Sequence, residues 1–384
     1  MKFEFATATR IYFGAGSLKD AGKLAANFGQ RVLVVTGNNP SRADALLELL
    51  KTENLQTEVF VVSGEPTIAA AQEGLALARD FGAQVIIGFG GGSAIDMGKA
   101  LAALTTNGGE PLDYLEVIGR GKPLSQPSLP YIAIPTTAGT GAEVTANAVL
   151  AALDQQVKVS LRSPTMLPKA AIIDPLLTID LPQNVTAYTG MDALTQVLEP
   201  FVSNKANPIT DALCREGLKC ASRSLHRAFE YPQDAAARED MALAALMGGM
   251  ALANAKLGAV HGFAAPIGGM FDAPHGAICA ALLTPVTQVN IRALRERDPN
   301  SETLRRYEEV AQIFARRSDA TADDGVIWLS ELAAALNIQP LREFGIGQGD
   351  IEPIVEKAAV ASSMQGNPIK LTHGELIDAL QAAL

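Results

Sequence analysis

Short β-branched runs alternate with helical stretches through the first half of the chain, and this rhythm most restricts the fold. Arg31–Thr36, Thr57–Val62 and Gln84–Gly88 read as strands, with helical patterns over Ala43–Lys51 and Ile68–Phe81 between them. Strand, helix, strand, helix, strand is the signature of a parallel sheet with helices on its faces. Tyr131–Ile134 and Ala170–Asp174 add two further strands. These runs are continuously apolar instead of alternating, as a sheet covered on both sides requires.

From about Leu181 the texture changes. Ala187–Val202, Pro208–Phe229, Ala235–Leu257 and Ser301–Arg316 are rich in alanine and leucine and poor in β-branched runs, and each predicts a helix. The run from Met241 to Leu257 has so many small residues that it should pack closely against its neighbours. A new helix can begin after Asp180-Leu181-Pro182. The predicted division is therefore an α/β domain over residues 1–180 and a helical domain over 181–384.

Composition supports a globular chain: 384 residues, 48% hydrophobic and 19% charged, suffice for substantial cores. A net charge of −10, with no basic stripe, argues against nucleic acid or an anionic membrane as partner and for a small molecule. The start Met1–Ala6 lacks the basic and apolar segments of a signal peptide, and no uninterrupted apolar run approaches the roughly 18 residues of a membrane helix, so a cytoplasmic location is expected. Cys214, Cys220 and Cys279 form no close pair and are read as small packing residues.

Gly88-Phe89-Gly90-Gly91-Gly92-Ser93 follows a predicted strand and precedes a helical pattern beginning at Ala94. Glycines let backbone approach a pyrophosphate, and free amides at a helix start stabilise its charge. A ligand-free tight turn fits the same residues. The next strand ends in Pro135-Thr136-Thr137-Ala138-Gly139-Thr140-Gly141, whose hydroxyls and amides suit a phosphate or ribose. Two such turns at successive strand ends point to a nucleotide.

Asp192 and Gln196 fall one helical turn apart and share a face. With His261 and His275 they form a candidate metal set, since a carboxylate and two imidazoles hold a catalytic divalent ion with a position left open, and a Gln196 oxygen would be a weaker donor. The spacing also accommodates a metal-free arrangement in which His261 starts a loop and His275 merely follows a proline turn. Phe263, Met270 and Phe271 would line a partly apolar substrate pocket or belong to the core.

These motifs together resemble the iron-containing, group III alcohol dehydrogenases over nearly the whole chain. The likeness rests on Gly90–Ser93 with Asp96 and Lys99, Pro135–Glu143, Asp174-Pro175, Gly190–Thr195, His261, and Pro274-His275-Gly276. It implies an N-terminal dinucleotide-binding α/β domain with a parallel sheet and an all-helical C-terminal domain, the architecture also found in dehydroquinate synthases, with the active site between them. The resemblance assigns Asp192, His261 and His275, with Gln196, to a divalent metal, iron or zinc. It assigns Gly91, Gly92 and Ser93 to the cofactor pyrophosphate, and Thr136, Thr137, Thr140 and Lys158 to the rest of the NAD(P) path, with Gly37 at the first predicted strand's tip. The metal would polarise the oxygen of a small alcohol, aldehyde or ketone while hydride passes to or from the nicotinamide, and a homodimer or larger assembly is expected.

Two positions depart from the family pattern, which commonly has histidine where this chain has Gln196 and Ala265. The first change should weaken metal binding and leaves the ion's identity open; the second removes a proton relay, a role that water or a ribose hydroxyl would take. The first strand ends in Thr36–Arg42 without the acid that accepts from ribose hydroxyls in NAD-binding members, which favours NADP. A maleylacetate reductase-like activity and a degenerate nucleotide-binding protein are the alternatives. A dehydroquinate synthase-like activity is disfavoured because Gly258–Ala280 lacks the lysine and arginine that a phosphorylated substrate needs.

Overall fold

The computed structural model describes residues 2–155 and 157–384 and resolves two compact units. One comprises Thr7–Thr137 and Gly141–Thr178; the other comprises the N-terminal residues up to Ala6, Ala138–Thr140 and Ile179–Leu384.

The first unit is built on a parallel sheet of β1 (Ile11–Phe13), β2 (Arg31–Thr36), β3 (Gln56–Val61), β4 (Val85–Gly90), β5 (Tyr131–Pro135) and β8 (Ala170–Ile173), in the order β1-β8-β5-β4-β2-β3. The helices are α1 (Ala21–Ala26), α2 (Asp44–Thr52), α3 (Ile68–Phe81), α4 (Gly92–Asn107) and the short α5 (Pro111–Tyr114). Alternate residues of one strand feed different cores. Leu33, Val35 and Ile86 join Leu75 and Leu101 on one face, while Val32, Val34 and Ile87 join Leu46 and Leu50 on the other. This two-sided burial explains why the central strands read as unbroken apolar runs. β6 (Asn147–Ala152) and β7 (Val157–Arg162) form a separate antiparallel pair that the sequence reading did not anticipate; the Ala-rich β6 carries little β signal.

The second unit is helical: α6 (Gln183–Val202), α7 (Pro208–Glu230), α8 (Ala235–Ala255), α9 (Ala259–Met270), α10 (His275–Arg297), α11 (Glu302–Ala315), α12 (Ala322–Ala335), α13 (Ile351–Ala359) and α14 (His373–Ala382). α6 is its spine, buried without interruption from Gly190 to Val202. Glycines bring the neighbouring helices close to it. A Cβ at Gly190 would lie 2.1 Å from Leu225 Cδ1 on α7, and one at Gly248 on α8 would lie 3.0 Å from Gln196 Cβ. This is the close approach expected of the small-residue helix. α10 is long and apolar enough to cross a membrane, contrary to the expectation of no such segment, because that expectation counted only uninterrupted apolar runs. With 78% of its apolar window buried, it has the pattern of a core helix.

Candidate metal centre and nucleotide-binding turns

Three helices of the second unit place the candidate metal residues. α6 carries Asp192, Gln196 and Glu199 at helical spacing along one face. His261 lies in the first turns of α9, so it is helical and does not open a loop as the metal-free reading supposed. His275 is the first residue of α10, directly after Pro274, and Cys279 stands one turn further along the same face.

The side chains converge. Asp192 Oδ1 is 3.3 Å from His261 Nε2 and 3.8 Å from His275 Nε2. Cys279 Sγ is 3.8 Å from His261 Nε2 and 3.7 Å from His275 Nε2. One donor atom from each of the four lies within 4.8 Å of those of the others. The expectation that all three cysteines merely fill space fails for Cys279. Its signal in the sequence was the spacing from His275, which is that of two side chains stacked on a helix face. Gly276 lets α10 start hard against α6, since a Cβ there would sit 2.5 Å from the Tyr188 carbonyl oxygen.

Glu199, also unanticipated, fixes the orientation of His261. Its Oε2 lies 2.7 Å from His261 Nδ1, and its Oε1 accepts from the Val260 amide at 2.7 Å. A hydrogen on Nδ1 donated to this carboxylate leaves the Nε2 lone pair facing Asp192 and Cys279. Gly258 permits the approach, because a Cβ would lie 2.9 Å from Glu199 Oε1. Behind it, Asn367 accepts from the Ala259 amide and from Asn290, so the start of α9 is pinned on two sides.

The four groups influence one another's ionisation. Burial opposes the Asp192 carboxylate, but His275 and His261, with a smaller part from Gln196, hold its pKa below the ordinary range. Burial likewise opposes the His261 cation, yet Cys279, Asp192 and Glu199 push its pKa well up. Cys279, then Asp192, raise His275 against burial, and the two imidazoles lower the Cys279 thiol although burial works against its thiolate. Among the described residues, Asp192 Oδ1 and Gln196 Oε1 are buried with no hydrogen-bond partner; the contact of Asp192 with His261 is an ion-pair contact at 3.3 Å. A buried carboxylate oxygen so placed is costly unless a cation completes it. The donor set and this orphaned oxygen fit a divalent ion.

The nucleotide candidates divide differently. Gly88 and Gly90 belong to β4, Gly91 caps the next helix, and α4 starts at Gly92, so Ser93 is already helical and the loop is shorter than expected. The N-cap of α4 is Gly91, which has no side chain to cap the first turn, so its amides can serve an anion. Not every glycine here serves a ligand. A Cβ at Gly88 would lie 2.1 Å from the Tyr131 hydroxyl and one at Gly98 2.7 Å from its ring, so both make room for Tyr131, which donates to the Ile95 carbonyl at 2.8 Å. A Cβ at Gly91 would sit 3.4 Å from Thr137 Cγ2, which joins the two turns, and the Thr136 amide donates to the Gly90 carbonyl at 2.8 Å. Gly37 follows β2 with nothing near its missing side chain. Thr140 groups with the helical unit. Lys158 lies on β7, its Nζ 3.2 Å from Glu65 Oε1, so an acid already engages it. Asp96 and Lys99 tie α4 to the β6–β7 region. Asp96 accepts from the Val149 amide, and Lys99 donates to the Ala142 carbonyl and the Thr145 hydroxyl. Phe263 is wholly core, while Met270 and Phe271 pack partly buried against that core.

A parallel α/β unit with an uncapped, glycine-led helix and a helical unit with a buried carboxylate–imidazole cluster offer what a metal-dependent nicotinamide dinucleotide oxidoreductase requires. Residues 8–175 match the iron-containing alcohol dehydrogenase description, and residues 186–384 match the C-terminal part of the Fe-containing alcohol dehydrogenase family. Alcohol dehydrogenase 4 of Schizosaccharomyces pombe is 34% identical over 97% of this chain and 87% of its own. The 1,3-propanediol dehydrogenase of Klebsiella pneumoniae is 31% identical over 97% of both. Among solved structures, a 1,3-propanediol oxidoreductase superposes with a TM-score of 0.93 at 31% identity over 100% of both chains. A sulfoacetaldehyde reductase from Bifidobacterium kashiwanohense, solved with NAD+, gives 0.87 at 27% identity over 100% of this chain and 99% of its own. The chain belongs to the iron-containing alcohol dehydrogenase family. It is a metal-dependent oxidoreductase that interconverts alcohols and aldehydes with NAD(P).

Proposed function

We propose that Asp192, His261 and His275 hold the divalent ion of this reaction. Gly37, Gly91, Gly92, Ser93, Thr136, Thr137, Thr140 and Lys158 line the path of the dinucleotide, and NADP is the preferred form. The observation that carries the reading is the buried, unpartnered Asp192 Oδ1, with the Nε2 atoms of both histidines beside it and His261 oriented from behind by Glu199. Such an ion supplies Lewis acidity toward an alcohol or carbonyl oxygen. Asp192 contributes the negative charge that attracts the ion, and the amides at the start of α4 bind the pyrophosphate. Support for NADP comes from the tip of β2, where Thr36–Arg42 offers no carboxylate and Arg42 is held in place by donating to the Leu177 carbonyl at 2.7 Å. With Ala265 exposed where a relay histidine would stand, water or a ribose hydroxyl carries the proton.

The test is turnover of a panel of small alcohols and aldehydes by protein stripped with a chelator and reloaded with one equivalent of iron(II) or zinc. Stripping should abolish turnover and reloading restore it, while Asp192→Ala should lose on the order of 10³-fold in kcat/KM, about 4 kcal/mol of transition-state stabilisation. NADPH should exceed NADH in kcat/KM by about tenfold, the effect of one charged contact. Undiminished turnover after verified metal removal would overturn the reading.

A further inference from the structure

The proposed metal site has one weak position. Gln196 offers a neutral amide oxygen at most, whereas Cys279 presents a fully buried sulfur to the same space, within 3.8 Å of both imidazole Nε2 atoms. Resting on the metal reading above, we propose that Cys279 is the fourth protein ligand of the ion, binding as a thiolate, and that this ligand shifts the site's preference from iron(II) toward zinc.

The spacing supports this assignment. Donors arranged tetrahedrally at roughly 2.0–2.1 Å for nitrogen or oxygen and 2.3 Å for sulfur are separated from one another by about 3.3 Å for nitrogen–oxygen pairs and about 3.6 Å for nitrogen–sulfur pairs. The measured separations are 3.3 and 3.8 Å from Asp192 Oδ1 to the imidazole nitrogens, and 3.8 and 3.7 Å from Cys279 Sγ to the same atoms. These four separations lie close to the tetrahedral values, and every donor pair lies within 4.8 Å. The independent sign that a ligand belongs here is Asp192 Oδ1, on a residue 2% exposed and without a hydrogen-bond partner.

His275 and Cys279 are stacked on one face of α10, so a single helix delivers two donors in fixed register, while α6 and α9 deliver one each. The other cysteines have different surroundings: Cys220 faces Arg223, and Cys214 lies in the apolar core. Binding releases the thiol proton to solvent as the sulfur donates an electron pair, with no change of oxidation state. One carboxylate and one thiolate neutralise a divalent charge within the buried site. Soft sulfur favours zinc over iron(II), in the same sense as the general order of divalent affinities. Ligand exchange remains open to such an ion through a fifth position, which zinc accepts in catalytic sites.

The experiment uses the full-length protein loaded in turn with zinc and with cobalt(II). X-ray absorption of the unmutated zinc form should show one sulfur neighbour at about 2.3 Å. The cobalt form should show a near-ultraviolet thiolate-to-metal charge-transfer band that disappears in Cys279→Ser and Cys279→Ala while visible cobalt bands persist. In competition against a chelator, Cys279→Ser should weaken zinc binding at least about tenfold and iron(II) binding less, narrowing the difference between the ions. Metal bound through nitrogen and oxygen alone, with a spectrum unchanged by Cys279→Ser, overturns this inference and leaves the metal-dependent reading standing. Failure of the unmutated protein to bind any divalent ion overturns both.

Discussion

The two units each bury a cluster of ionisable side chains, and the clusters are completed in opposite ways. In the α/β unit, Lys99 is fully buried and its ammonium meets the Ala142 carbonyl and the Thr145 hydroxyl, both at 2.8 Å, and Asp96 Oδ1 at 3.0 Å. An ammonium has three donors, and here two make hydrogen bonds to chain oxygens while the charge is balanced by the ion pair with Asp96. In the helical unit, Asp192, His261, His275 and Cys279 turn one donor atom each toward a common point, all within 4.8 Å of one another. The ammonium of the first cluster is engaged by the chain's own oxygens and holds the fold together, whereas the second gathers four metal-ligating groups around the Asp192 Oδ1 atom, a shape suited to a cation the chain does not supply.

The sharpest way to break this contrast is to remove the cation of the self-contained cluster. Lys99→Met leaves Asp96 and Glu143 without their buried counter-charge and should cost about 3–5 kcal/mol in urea denaturation. The helical unit should respond to its ion instead: zinc at 100 times its dissociation constant adds about 2.7 kcal/mol to the folded protein. That increment should survive in Lys99→Met and vanish in Asp192→Asn. Loss of the zinc increment in Lys99→Met, or its persistence in Asp192→Asn, would show that the distinction between the clusters is wrong.

Glu143 gives a pH-dependent test of the same contrast. Burial pushes its carboxyl up to about 7 from an ordinary 4.5, with a backbone hydrogen bond and Lys99 only partly opposing the shift. The folded protein therefore keeps this proton over a range where the unfolded chain has released it, so stability falls as pH rises from 4.5 to about 7 and then levels off. The loss amounts to about 3 kcal/mol. Glu143→Gln should erase this slope and be more stable than the unmutated protein at pH 8. A variant less stable at pH 8 would mean that attraction to Lys99 outweighs burial.

The sequence was readable where one residue type has one physical use. Continuous apolar runs such as Val32–Val35 identified strands buried on both faces, and the long alanine- and leucine-rich stretches identified the helical unit. Asp192, His261 and His275 stood out through their resemblance to the family's motifs, since their spacing alone accommodated a metal-free arrangement as well. Cys279 did not, because a lone cysteine in an alanine-rich helix looks like filler until its place one turn after His275 is given weight. Glu199 was equally hidden: its position on the Asp192 face is plain in the spacing, but its partner lies on another helix. The glycine-rich segment was read less fully: Gly88 ends the predicted strand and makes room for the Tyr131 hydroxyl, but the strand runs on to Gly90, so fewer of these glycines form a loop than the run suggests. Backbone sites are harder to read than side-chain sites because the groups that bind are present at every residue and only the conformation selects them.

The mildest intervention addresses how the open cluster is held in readiness. Glu199 touches none of the proposed donors except through the back of the His261 ring, so its contribution is orientation and added basicity at Nε2, not a bond to the ion. In Glu199→Gln the shape is kept, but the single amide oxygen cannot accept from both His261 Nδ1 and the Val260 amide, and its NH2 must face one of two donors. The imidazole is then free to rotate or to take the tautomer with hydrogen on Nε2, which cannot bind metal. Competition against a chelator should show metal affinity lowered about 10–100-fold, with kcat nearly restored once metal is saturating. That split separates positioning from reaction chemistry. If kcat stays low at saturating metal, Glu199 has a part in the reaction itself; if affinity is unchanged, packing around α9 alone orients the ring.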